Sequence, residues 1–140
     1  MDQFLQPNRS KVRLIQEFIK HKSLTIGFDF DGTVHDFHKT GESYEMVMQL
    51  LRDLKEIGCT LICWTAYRDH EYVKQYCIDN NIPCDGINTD GVYLGYDSRK
   101  PFFSALLDDR AGLIQVYNDL TAVVAFARAE NKDPYYTTNQ

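Results

Sequence analysis

The chain has 140 residues, 44% of them apolar and 13% aromatic, which is enough for one domain with a real core and too little for a second independent one. Charged residues make up 25%, the share of a globular chain rather than a disordered one. Fifteen Lys and Arg against twenty Asp and Glu leave a net charge of −5, which excludes a broad basic face for gripping duplex backbones.

Residues 1–23 predict an N-terminal packing helix: Ser10 stands where an N-cap belongs, and Val12, Leu14, Ile15, Phe18 and Ile19 recur at helical spacing. This opening lacks the apolar core of a signal peptide, and no run of the sequence is long and apolar enough to span a membrane. A soluble, cytoplasmic chain is expected. Residues 24–30 (LTIGFDF) read as a strand buried on both faces, with acids at its end. A polar loop follows, and then residues 43–57 read as a helix with Met46, Val47, Leu50, Leu51 and Leu54 on one face and Gly58 as its C-terminal cap.

Residues 59–64 (CTLICW) repeat the buried-strand pattern, and 69–80 read as a helix ended by Pro83. Residues 85–97 read as a Gly- and Asp-rich loop, 102–107 as a third apolar strand ending in Asp108 and Asp109, and 113–129 as a closing helix. Such alternation predicts an α/β domain over residues 1–140, with a parallel sheet and helices on both faces. The polar tail, 132–140, is expected to be loose. Cys59, Cys63, Cys77 and Cys84 form no CxxC pair and read as reduced structural thiols, neither disulfides nor a zinc site.

In open parallel sheets, ligands bind beyond the carboxyl ends of the strands. Those ends carry Asp29, Asp31, Gly32 and Thr33, then Thr65, then Asp108 and Asp109, with Arg99 and Lys100 just before the last strand. Four carboxylates at one edge repel unless a cation neutralises them, and hard oxygen donors suit Mg²⁺. Alternation along an extended segment puts Asp29 and Asp31 on one side, so Asp29 is expected to attack and Asp31 to handle the proton. Gly32 allows a sharp turn past a ligand. Thr65 offers a hydroxyl and Lys100 a mobile charge for a phosphoryl group, and attack by a carboxylate would give an aspartyl-phosphate.

The segments FDFDGTV, CWTAY, SRKPFF and LLDDRAG, in this order, resemble the four signature motifs of the haloacid dehalogenase (HAD) superfamily of phosphohydrolases, most closely its small capless bacterial and phage members. The resemblance runs from about Thr25 to Gly112. It implies a Rossmann-like three-layer α/β/α domain with strand order 5-4-1-2-3 and no sizeable cap. Asp29 is then the nucleophile and Asp31 the acid and base. Thr65 and Lys100, with Gly32 and Ala66 beside them, hold the phosphate. Mg²⁺ is held by Asp29, the Asp31 carbonyl and the pair Asp108 and Asp109, with Asp108 favoured as the direct ligand.

The expected activity is Mg²⁺-dependent hydrolysis of a small phosphomonoester, such as a nucleotide or sugar phosphate. A nucleic-acid end phosphatase is the alternative that the acidic charge disfavours, and a non-catalytic phosphate-binding module is the alternative outside the enzymes. A homo-oligomer stays open. His35 and His38 follow the acids in a loop and read as solvated rather than as ligands, while Tyr67, Arg68, Tyr93 and Tyr96 flank the same crevice.

Overall fold

The computed structural model describes residues 2–92 and 94–132; Tyr93 and the tail from 133 to 140, expected to be loose, lie outside them. Four parallel strands, β1 (Thr25–Phe28), β2 (Thr60–Cys63), β3 (Gly86–Ile87) and β4 (Ala105–Leu107), stand in the order β3-β2-β1-β4. The domain is α/β and Rossmann-like, as expected. Its order is the 4-1-2-3 part of the expected 5-4-1-2-3, and no fifth strand lies beyond β4 among the described residues.

The helices are α1 (Arg9–His21), α2 (Glu45–Glu56), α3 (His70–Asp79) and α4 (Leu113–Lys132). Side chains from all four close on Ile26, Phe28, Leu61, Cys63 and Leu107 in one core. Strand side chains alternate between faces, so these five share one side of the sheet. Burying each large apolar side chain there stabilises the fold by roughly 1.5–3 kcal/mol. α4 packs against both α1 and α2, and Arg52 of α2 donates to the carbonyls of Asn80 and Asn81 at the end of α3. Side chains of all four helices thus meet in one core.

The other face is covered by the crossover from β3 to β4, residues 88–104. Phe103 lies over Gly27 so closely that a Cβ there would fall 2.8 Å from the ring, and Gly91 abuts Thr25 and Ile62. This explains two departures from the sequence reading. The third strand begins only at Ala105, because Phe103 turns its ring onto the sheet and against Trp64. β3, read as loop, pairs through only two residues, Gly86 with Ile62 and Ile87 with Cys63.

Helix ends were the other departures. Asn8 rather than Ser10 stands at the N-terminal boundary of α1, without a side-chain capping bond; Ser10 lies inside the helix, and its hydroxyl donates to the buried Asp119 of α4. Leu14 and Phe18 are buried one turn apart, whereas Val12 and Ile19 are exposed. α2 starts at Glu45, which turns Met46 outward (70% exposed) and buries Met48. Gly58 follows α2 at φ 99°, as the cap required. All four cysteines are free thiols.

Candidate functional site

The parallel register aligns the strand ends. Phe28 is level with both Cys63 and Leu107, and the ladder runs one residue further through Asp29 N–H to the Leu107 carbonyl, Trp64 N–H to Phe28 and Asn88 N–H to Cys63, each at 2.8 Å. Asp29, Thr65 and Asp108 therefore emerge at one edge. They line a cavity of about 350 Å³ together with Asp31, Gly32, Phe37, His38, Ala66, Asp109 and Arg110.

Oxygens of Asp29, Asp108 and Asp109 all lie within 4.8 Å of one another. Their crowding marks Asp29: burial first, then the Asp108 charge and a hydrogen bond with Asp109, push its carboxyl up to about 7 from an ordinary 3.8. Thr33, buried behind them, donates its hydroxyl to Asp29 Oδ2 at 3.4 Å and accepts from Asp109 N–H at 3.2 Å. Gly32 is required twice. Its φ of 79° favours glycine, and a Cβ would fall 2.7 Å from Asp109 Oδ2. Three carboxylates converging as hard oxygen donors fit a small divalent cation such as Mg²⁺, whose charge would offset their repulsion. The Asp31 carboxylate is not in this group; it pairs with His35 Nδ1 at 2.8 Å.

The fold is similar to that of a solved structure of a conserved protein coded by a locus from Bacteroides thetaiotaomicron. The match has a TM-score of 0.56 and 23% identity, and it covers 84% of this chain and 99% of that one. At this identity the likeness is one of fold. No protein-family model matches the chain, and no curated protein does.

Thr65 is fixed from below by Asn88, which accepts from its N–H and donates to its carbonyl, both at 2.8 Å. The Thr65 hydroxyl also accepts from Tyr67 N–H at 2.9 Å. Asn88 holds this bend in a left-handed conformation, φ 52°, and sequence reading missed it because it acts from a strand end 23 residues away. Lys100 is the site residue that the structure leaves apart. It is exposed on the crossover, its backbone bonded to Ser98, and does not line the cavity, whereas Arg110 does. Arg110 follows Asp108 and Asp109 directly in the LDDR segment, so its place in the sequence is the signal for it.

The loop after the acids is also more built than its sequence suggests. Asp36 accepts from Thr40 N–H and hydroxyl, Gly41 N–H and the Tyr44 hydroxyl, and the bonds from Gly41 and Thr40 hold its carboxyl below the usual range. Phe37 and His38, both exposed, stand at the cavity wall. Tyr67 turns away into a cluster with Phe30, His35 and Tyr72, and Tyr96 is exposed on the crossover.

Proposed function

We propose that the protein is a Mg²⁺-dependent phosphatase of the HAD type, acting on a small phosphomonoester through an aspartyl-phosphate. The observation that carries this reading is the convergence, at one edge of a parallel sheet, of three carboxylates within 4.8 Å of one another and a fourth in the same cavity. A cation held by Asp29, Asp108 and Asp109 would neutralise their charge and polarise the phosphoryl oxygens. Asp29 attacks phosphorus as Asp31 gives its proton to the leaving oxygen; Asp31 then takes a proton from the water that releases phosphate. Thr65 and a cationic side chain, Arg110 from the cavity wall or Lys100 from the crossover, orient the phosphoryl group.

Phosphate release from a panel of nucleotides, sugar phosphates and 3′- or 5′-phosphorylated oligonucleotides, with Mg²⁺ or with EDTA, tests the reading. Release is expected to need Mg²⁺ and to fall by at least about 10³-fold in Asp29→Asn, as loss of a nucleophile does. Undiminished turnover in that variant would overturn the mechanism. Preference for oligonucleotide ends would move the substrate to nucleic acid, and binding without release would make the protein a phosphate-binding module.

A further inference from the structure

His35 is placed as few loop histidines are. Its Nδ1 lies 2.8 Å from Asp31 Oδ1 and its Nε2 lies 3.0 Å from the Tyr72 hydroxyl, so both ring nitrogens are engaged. The ring stacks on Phe30 at 4.5 Å with a 14° tilt, and the edge of Tyr76 meets it at 4.9 Å. Its side chain is only 12% exposed. The backbone repeats the pairing: Gly32 N–H donates to the His35 carbonyl and His35 N–H to the Phe30 carbonyl, closing the turn around Asp31.

We infer that His35 is a positioning residue, which holds the Asp31 carboxylate in the orientation that serves the leaving oxygen and, later, the attacking water. This rests on the acid and base role proposed above for Asp31. With the Tyr72 hydroxyl donating to Nε2, the ring would carry its proton on Nδ1 and donate it to Asp31 Oδ1 across the 2.8 Å contact. Asp31 lines the cavity, so its second oxygen is left for the reaction. Phe30, fully buried, is the floor that keeps the ring from turning. Side-chain orientation of this kind decides whether a proton reaches the departing atom in time.

The two half-reactions read this role separately. In the first, an Asp29 oxygen bonds to phosphorus, the bond from phosphorus to the leaving oxygen breaks, and the Asp31 proton passes to that oxygen. In the second, water bonds to phosphorus, its proton passes to Asp31, and the bond from Asp29 to phosphorus breaks. An alkyl phosphate needs the proton in the first step, whereas p-nitrophenyl phosphate leaves without it. Both need Asp31 in the second.

His35→Phe keeps the stacked ring and removes both nitrogens. It is expected to lower kcat/KM for an alkyl phosphate by about 10- to 100-fold, the range of misplaced general acid catalysis. With p-nitrophenyl phosphate kcat/KM should hold while kcat and KM fall together. His35→Asn, whose amide N–H can stand near Nδ1, should restore most of the alkyl activity. Equal loss of kcat/KM on both esters, or no change on either, would overturn the inference while leaving the phosphatase reading intact. A wild-type enzyme inactive on both esters would remove that reading and this one with it. Should His35→Phe fail to fold, Tyr72→Phe, which loses only a hydroxyl, must give a weaker form of the same split; a wild-type ratio there overturns the inference.

Discussion

The loop that follows the acids, which lines the cavity, and the crossover from β3 to β4, whose residues 94–100 do not, are built differently. On one side the chain from Asp29 to Gly41 is tied to itself at short range: Asp36 gathers four hydrogen bonds, His35 is bonded at both nitrogens, and Phe30 is fully buried beneath the ring. On the other, residues 94–100 of the crossover are exposed, and the side-chain hydrogen bonds described there are those of Ser98 with the Lys100 backbone. The acids are thus pre-positioned, while the expected cation rides on a segment whose place depends on Phe103 and Gly91 meeting the sheet. Preorganisation has been concentrated where geometry must be tight, because a proton donor tolerates less displacement than a long flexible charge.

The largest effect should separate the loop and the crossover by stability. Phe30→Ala removes a fully buried ring and is expected to cost about 3–5 kcal/mol, while Tyr96→Ala on the crossover should cost under about 0.5 kcal/mol. Urea melts of the two variants measure this, and similar losses would mean the crossover is as firmly packed as the loop. Next in size is the division of positive charge. Arg110→Ala should lower kcat/KM on a phosphomonoester by about tenfold or more, as loss of a charge-assisted bond does, and by more than Lys100→Ala. A larger loss at Lys100 would show that the crossover closes over bound substrate.

A smaller effect lies in the acids themselves. Asp29 binds its proton more tightly folded, near 7, than unfolded, near 3.8, so the folded state holds the extra proton. Its contribution to stability is complete below about 3.8 and is lost as pH rises through about 7. Melting of the metal-free protein minus that of Asp29→Asn should therefore decline across this window, and Mg²⁺ should reduce the decline. The smallest effect concerns chemistry away from both segments. A hydrogen bond from Cys77 draws the Cys84 thiol down to about 7, whereas burial pushes Cys59 up to about 11. Iodoacetamide at neutral pH should label Cys84 first, as peptide mapping would read.

The difference between the two segments is also a difference in legibility. Asp29 and Asp31 could be placed from sequence because an apolar strand and its acidic end fall in one stretch of eight residues, 24–31, and Asp108 and Asp109 follow the same logic after Leu107. Local patterning carries such pieces. β3 was hidden because two paired residues leave no alternation to detect, and Met46, although in phase with Leu50 and Leu54, lies in the first turn of α2, where it stays exposed. His35 with Tyr72, and Thr65 with Asn88, are partners across 37 and 23 residues, and no periodicity joins them. Lys100 stands apart from the cavity under the same limit: a motif gives order along the chain, while reach depends on how the crossover lies on the sheet.

Gly27 holds that crossover in place by having nothing on its α-carbon but hydrogen. Because a methyl there would meet Phe103 at 2.8 Å, Gly27→Ala would act as a wedge, lifting the crossover from outside the cavity while every acid, Thr65 and Arg110 kept its identity. Position 27 is in this sense a mechanical adjustment for the segment that carries Lys100, set at a distance from the chemistry it would tune.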